Sequence, residues 1–199
     1  MSNDAHEFVS RGGLKLQAGL EAFELGAAGW VCADFGCNVG GFTDCLLRRG
    51  AVKVYAIDTG YGELAWTLRR DSRVVVMERT NALHCQPAEK VDLVVADVAW
   101  TPQSRIIPAA MAWLKPGGRI VSLLKPHYEL TKIAGRKPVG VLDPGKAEEV
   151  CRDVCSRLAD AGWCVRAVTR SAILGKGGNV EFLLLINAPA SHPGESSVE

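Results

Sequence analysis

Seven short runs of β-branched and other apolar residues recur along the chain, separated by stretches with helical spacing. The runs are Val31–Phe35, Lys53–Asp58, Arg73–Met77, Val91–Ala96, Arg119–Leu124, Cys164–Thr169 and Val180–Ile186. Strands that alternate with helical segments are typical of an α/β fold with a doubly wound, mostly parallel sheet and helices on both faces. The chain of 199 residues is long enough for one such domain. We expect this domain to span residues 1–187 and a disordered tail to follow over residues 188–199.

Apolar residues also recur on one helical face in three segments. The three stripes are Leu16–Leu20–Phe23, Ile106–Ala110–Leu114 and Val150–Val154–Leu158. The second helix should end at Lys115–Gly118, and Asp143 should cap the third, with Pro144 in its first position. The last two runs are joined by Arg170–Asn179, which carries no such stripe. Because parallel neighbours need a longer crossover, we expect the last strand to be antiparallel.

Composition and charge exclude several classes of protein. With 48% hydrophobic and 23% charged residues, the chain is not intrinsically disordered. It has 23 basic and 22 acidic residues, so a nucleic acid would have to be bound by a local basic patch. No apolar run is long enough for a membrane span, and the charged N-terminus does not resemble a signal peptide. The seven irregularly spaced cysteines indicate free thiols in a reducing cytoplasm, and no metal site is expected.

Charged residues follow three of the predicted strands. In a doubly wound sheet, ligands bind beyond the carboxyl ends of the strands, where we expect Asp58, Asp97 and Lys125. The first run leads into a glycine-rich turn, Gly36–Gly41, with the spacing G-x-x-x-G-G. This spacing matches neither a dinucleotide-binding turn nor a P-loop, and so favours a nucleoside ligand without a polyphosphate. Asp58 would then accept both ribose hydroxyls, the alternative being a loop acid with no ligand.

Asp97 and Lys125 point to chemistry of their own. Each follows an apolar strand, where a charge is costly unless it is paired or functional. The alternative is an ion pair that only ties two strand ends together. Pro126 follows Lys125, and we expect it to prevent a helix at that point.

Six motifs, in order along the chain, resemble those of the TlyA-type rRNA methyltransferases, which belong to the FtsJ-like group of 2′-O-ribose methyltransferases. They are Val9–Leu16, Asp34–Phe42, Val54–Asp58, Glu78–Asn81, Lys125–Glu129 and Gly178–Phe182. The resemblance implies a Rossmann-like methyltransferase fold, S-adenosylmethionine (AdoMet) as the cofactor and ribosomal RNA as the substrate. Two short stretches differ from the usual family motifs, at Cys37–Val39 in the glycine turn and at Ala99–Trp100 after Asp97.

The same resemblance implies the residues of the active site. The catalytic tetrad of the family falls on Lys15, Asp97, Lys125 and Glu181. Lys125 would act as the base that takes the proton of the ribose 2′-hydroxyl. The cofactor contacts fall on Gly36, Gly40, Phe42, Asp58, Asn81 and Asp97. The residue pattern alone indicates Asp58, Asp97 and Lys125, but neither Lys15 nor Glu181.

Two other functions remain open at this stage. The family usually carries an N-terminal S4-type RNA-binding domain, and this sequence starts about where the linker after that domain would end. One alternative is therefore a non-catalytic AdoMet- or RNA-binding module that needs a partner, and the other is a small-molecule O-methyltransferase. Basic residues on two predicted loops would contact RNA phosphates or would only be solvated. They are Lys132, Arg136, Lys137 and Lys176.

Overall fold

A seven-stranded sheet with the strand order β3-β2-β1-β4-β5-β7-β6 organises the molecule. The computed structural model describes residues 7–134 and 140–188, with residues 131–134 described by their backbone alone. The strands are β1 (Val31–Phe35), β2 (Lys53–Ile57), β3 (Val74–Met77), β4 (Val91–Ala96), β5 (Leu114–Leu124), β6 (Cys164–Arg170) and β7 (Phe182–Asn187). The helices are α1 (Gly12–Ala22), α2 (Gly41–Arg48), α3 (Trp66–Arg69), α4 (Gln103–Met111), α5 (Pro126–Ala134) and α6 (Pro144–Asp160). All seven predicted strands are present.

Strands β1 to β5 pair in parallel, and β7 lies antiparallel between β5 and β6. The predicted mostly parallel sheet with an antiparallel last strand is therefore confirmed. In the β5–β7 register, Leu124 pairs with Phe182. The residue that follows β5 and the residue that precedes β7 consequently lie side by side at the carboxyl edge of the parallel strands.

Two apolar layers cover the two faces of the sheet, as the alternation of strands with helical segments along the sequence predicts. On one face, α1, α2 and α3 bury residues such as Leu16, Leu46 and Leu68. On the other face, α4 and α6 bury residues such as Ile106 and Val150. Because both faces are covered, the central strands consist mainly of buried apolar residues on both faces, with Asp34 in β1 and Ser122 in β5 as buried polar exceptions.

Two predictions about helix ends are wrong. Leu114 does not lie on α4 but begins β5, where it pairs with Val91. Helical spacing cannot separate the last turn of a helix from an apolar strand residue that follows it closely. Pro126 does not prevent a helix but is the first residue of α5. Proline is compatible with the first position of a helix, because the N–H that it lacks would be unpaired there and its fixed φ is already helical.

The predicted cap of α6 is confirmed, since the side chain of Asp143 accepts the N–H of Lys146.

Several other predictions concern the ends and loops of the chain. All seven cysteines are free thiols. Lys132 lies on α5 and not on a loop, while Arg136, Lys137 and all of the predicted tail except Ala188 lie outside the described residues. In residues 7–134 and 140–188, no helix combines the length and the apolar character that crossing a bilayer requires.

Candidate active site

A cavity of about 960 Å³ opens at the carboxyl edge of the parallel strands. Its walls come from the loops after β1, β2, β3, β4 and β5, from the start of α1 and from the segment before β7. Nine different residues are predicted for the site, and eight of them line this cavity. They are Lys15, Gly36, Phe42, Asp58, Asn81, Asp97, Lys125 and Glu181. The fold thus brings together residues that are far apart in the sequence.

The glycine turn after β1 forms the floor of this cavity. Gly36 has φ +80°, and a Cβ there would lie 2.8 Å from the backbone oxygen of Asp97, so no larger residue fits without moving the backbone. Gly40 is the remaining predicted site residue. It precedes α2 and lies against Leu64 and Leu68, and it is not among the residues that line the cavity.

Asp58 joins the glycine turn to the loop after β2. Its Oδ2 accepts the N–H of Asn38 at 2.9 Å, and its Oδ1 accepts the N–H of Gly60 at 2.7 Å. A carboxylate has about four lone-pair sites, so each oxygen can accept a further hydrogen bond. The side chain is half-buried and lines the cavity. Asp58 can therefore hold the turn and still accept two ligand hydroxyls.

Two lysine–carboxylate ion pairs lie in the same cavity. Lys125, directly after β5, pairs with Asp97, directly after β4. Lys15 on α1 pairs with Glu181, with 2.6 Å between Nζ and Oε2. Since Leu124 pairs with Phe182, Glu181 is placed beside Lys125 by the antiparallel register of β7. The four residues form one cluster of alternating charge.

Burial makes both ion pairs sensitive to the loss of one partner. The side chains of Lys15 and Glu181 are 11% and 4% exposed, and those of Lys125 and Asp97 are 14% and 25% exposed. Removing one member of such a pair leaves a charge with little access to water. Because desolvating four charges is costly, this cluster in a cavity is a candidate functional site.

Lys15 reaches this cluster because the starts of α1 and α2 are in direct contact. A Cβ on Gly41 would lie 2.8 Å from the backbone nitrogen of Gly13, so the glycine at this position permits the close approach. Leu16 and Leu20 anchor α1 on the sheet and are fully buried. The apolar stripe predicts this helix, but Lys15 and Glu181 are 166 positions apart in the sequence, so no local pattern predicts their contact.

Asp34 in β1 is a buried acid that the residue pattern did not single out as a functional candidate. Its Oδ2 accepts the hydroxyl of Thr43 at 2.7 Å, and its Oδ1 has no hydrogen-bond partner within the part of the chain that the structure describes. Burial raises the pKa of Asp34 to about 7, with a smaller contribution from the charge of Asp97, although the Thr43 hydrogen bond opposes the shift. The available signal was an acid inside a strand that is otherwise buried and apolar.

The rim of the cavity is basic and aromatic. Arg11 is exposed, and its guanidinium donates to the carbonyl oxygen of Leu174 at 3.1 Å. Lys176 is exposed in the following loop. Trp100 is 49% exposed and stacks on Tyr128, with 4.4 Å between the ring centroids. Trp100 also has φ +61°, which is unusual for a bulky residue and is often found at functional sites.

Comparison with known proteins identifies a family and several relatives. The family model for FtsJ-like methyltransferases matches residues 8–188. The chain is 42% identical, over 188 residues, to the 16S/23S rRNA (cytidine-2′-O)-methyltransferase TlyA of Mycobacterium tuberculosis, covering 92% of this chain and 70% of that protein. It is 40% identical, over 190 residues, to the candidate rRNA methyltransferase YqxC of Bacillus subtilis, covering 92% of this chain and 66% of that protein. The chain thus spans about two thirds of the length of these relatives.

A solved structure is similar in fold as well as in sequence. A candidate hemolysin of Streptococcus thermophilus superimposes with a TM-score of 0.85 at 35% identity, covering 96% of this chain and 70% of that one. The similarity therefore includes nearly every element described here.

Proposed function

Because the chain belongs to the FtsJ-like methyltransferase family, we propose that it is an AdoMet-dependent RNA 2′-O-ribose methyltransferase that acts on ribosomal RNA in the cytoplasm. The observation that carries this proposal is the cluster of two lysine–carboxylate pairs in the same cavity as the glycine turn. The TlyA relative from Mycobacterium tuberculosis is named for 2′-O-methylation of a cytidine in rRNA, which supports the choice of reaction and substrate.

The residues present fit AdoMet as the cofactor. The turn at Gly36 lets a ligand approach the backbone closely, and Asp58 retains acceptor capacity for the two hydroxyls of a ribose. Phe42 and Asn81 line the same cavity and offer an apolar surface and an amide. When bound, AdoMet supplies an activated methyl group.

Lys125 is the proposed base. In its neutral form, its Nζ can take the proton of the ribose 2′-hydroxyl as that oxygen attacks. Asp97 is in direct contact with Lys125 and, because a neutral amine can still donate a hydrogen bond to a carboxylate, it can keep the direction of the Lys125 side chain in that form. Much of the rate enhancement would come from holding the attacking oxygen in line, since correct orientation alone lowers a barrier by several kcal/mol.

Lys15 and Glu181 are proposed to orient the ribose beside Lys125. Lys15 Nζ can donate three hydrogen bonds, and Glu181 occupies one of them. The remaining donors are free to contact the substrate hydroxyl or its neighbouring oxygen. Because Lys15 and Glu181 are buried, their ion pair is held rigidly, and a rigid pair positions a substrate more accurately than a solvated one.

RNA is favoured over a small molecule because the rim of the cavity suits a polyanion with exposed bases. Arg11 and Lys176 supply positive charge for phosphates, and the exposed face of Trp100 offers a stacking surface. The cavity also opens widely enough, at about 960 Å³, to admit a nucleotide beside a cofactor.

The experiment that tests the proposal is incubation of the protein with methyl-labelled AdoMet and isolated ribosomal subunits, followed by mapping of the labelled position. Label at a ribose 2′-oxygen, absent with Lys125→Met, is the expected result. Tight AdoMet binding with no label in any RNA would instead favour a non-catalytic module, and label in small molecules alone would favour the other alternative.

A further inference from the structure

A buried polar network lies directly behind the Asp97–Lys125 pair. Ser122 Oγ donates to Gln103 Oε1 at 2.7 Å, and Gln103 Nε2 donates to the carbonyl oxygen of Leu123 at 3.2 Å. The backbone N–H of Gln103 donates to Glu129 Oε1 at 2.8 Å. Gln103, Ser122 and Glu129 are 2%, 0% and 8% exposed. Polar groups buried this deeply require their partners, because an unpaired one costs free energy.

This network joins the two segments that carry Asp97 and Lys125. Gln103 is the first residue of α4 and follows the loop that begins at Asp97. Ser122 and Leu123 lie near the end of β5, whose last residue, Leu124, directly precedes Lys125. Glu129 lies on the first turn of α5, where its own backbone N–H donates to the carbonyl oxygen of Lys125 at 3.3 Å. Hydrogen bonds thus run from the start of α4 to the residues on both sides of Lys125.

The start of α4 depends on this arrangement. The residue before α4 is Pro102, whose side chain cannot accept a hydrogen bond, so α4 has no cap from its own sequence. Glu129 supplies the missing acceptor from a different helix. A carboxylate also interacts favourably with the positive end of the helix dipole. If Glu129 or Gln103 were lost, the loop from Asp97 to Pro102 would lose its attachment at the far end.

We propose that Gln103 and Glu129 are positioning residues for methyl transfer, acting by fixing the loop of Asp97 against the strand end that carries Lys125. This inference rests on the proposed function, in which Lys125 is the base. Neither residue lines the cavity, so neither is expected to touch the RNA or the cofactor. They act through the distance and direction of the Asp97–Lys125 pair.

The test compares four variants in single-turnover methylation of ribosomal subunits, at a temperature where each variant is shown to be folded. Gln103→Met and Glu129→Met keep the side-chain length. Gln103→Met removes the side-chain hydrogen bonds to Ser122 and to the carbonyl oxygen of Leu123 but leaves the backbone N–H of residue 103 bonded to Glu129, whereas Glu129→Met removes the acceptor of that N–H. Each variant should slow methyl transfer roughly 10- to 100-fold, as expected for a displacement of under 1 Å. AdoMet affinity, measured by calorimetry, should fall much less than the rate, because Asp58 and Asn81 line the cavity from loops that this network does not touch. Glu129→Gln keeps an acceptor for the N–H of Gln103 and should restore a rate close to that of the wild type.

Tyr55→Phe is the matched control, because it removes one hydrogen bond of a buried side chain, to Glu89, away from the cavity. It should methylate at the wild-type rate. Wild-type rates in Gln103→Met and Glu129→Met would overturn the inference. So would a loss of rate that follows the folded fraction, or a Glu129→Gln variant as slow as Glu129→Met.

A second measurement does not depend on the RNA substrate. Reaction of the Lys125 amine with an acylating reagent, followed by mass spectrometry, reports how firmly Asp97 holds the side chain. Lys125 should react faster in Gln103→Met than in the wild type. If the wild type methylates no RNA, the proposed function fails, and the labelling result alone decides the inference, with equal reactivity of Lys125 in the two proteins overturning it.

Discussion

Replacing Asp34 by Asn should make the stability of the protein less dependent on pH between pH 5 and pH 8. Asp34 is fully buried, and its pKa in the folded protein is about 7 against an ordinary value of 3.8, mainly because burial disfavours the charged form. Between these two values the folded protein keeps a proton that the unfolded chain has released. The unfolded state then binds fewer protons, so the free energy of unfolding falls as the pH rises.

The size of the effect follows from the shift. About three pKa units correspond to roughly 4 kcal/mol of destabilisation once Asp34 is ionised in both states, above pH 7. The destabilisation is absent below pH 3.8 and is only partly developed at pH 5, so roughly 2–3 kcal/mol of it should appear between pH 5 and pH 8. Asn has nearly the same size, can accept the hydroxyl of Thr43 and does not titrate.

Urea denaturation of both proteins at pH 5, 6, 7 and 8 measures this directly. The difference in the free energy of unfolding between Asp34→Asn and the wild type should shift by roughly 2–3 kcal/mol in favour of the variant across this range. Asp153→Asn, which removes an exposed carboxylate on α6, is measured in parallel as the control for the loss of an acidic side chain away from β1. A constant difference for Asp34→Asn would refute the reasoning, because it would mean that Asp34 does not change its protonation there.

Three further predictions test the site. Lys125→Met and Lys125→Arg should both keep AdoMet affinity and lose single-turnover methylation, because a guanidinium stays protonated and cannot act as the base; a near wild-type rate for Lys125→Arg would contradict the mechanism. Asp58→Ala should weaken AdoMet binding in calorimetry about ten- to a hundredfold, as expected for lost hydrogen bonds to a charged group, and undiminished affinity would contradict the assignment. Cys164 is exposed and should be alkylated before Cys37, whose pKa is raised by burial; mass spectrometry after brief treatment with iodoacetamide gives the order, and earlier modification of Cys37 would show that the glycine turn opens to solvent.

The sequence predicts the sheet well because its signal is local. Each strand is a short apolar run, and the lack of a helical stripe between the last two runs predicts the antiparallel β7. The errors at Leu114 and Pro126 arise where local preference allows two outcomes. An apolar residue after α4 suits a helix or a strand, and a proline after β5 can end one element or begin the next.

The site residues also fall into those that a local sequence pattern predicts and those that it does not. Asp58, Asp97 and Lys125 are predictable because each directly follows a parallel strand, and parallel strands all end at one edge. Glu181 is different, since it reaches that edge only because β7 runs in the opposite direction and pairs Phe182 with Leu124. Its place therefore depends on a register between two distant strands, which no local pattern encodes, and only the family resemblance pointed to it.

The buried polar network shows why a site can be recognised from its charged residues and still be incompletely described. Gln103 and Ser122 are uncharged, and Glu129 looks like an ordinary residue in the first turn of a helix. Their importance arises from contacts between α4, β5 and α5 that form only in the folded protein. Asp97 and Lys125 follow two neighbouring strands that are paired up to Ala96 and Ser122. Beyond that pairing, the contacts behind the Asp97 loop should limit how accurately the ion pair is held.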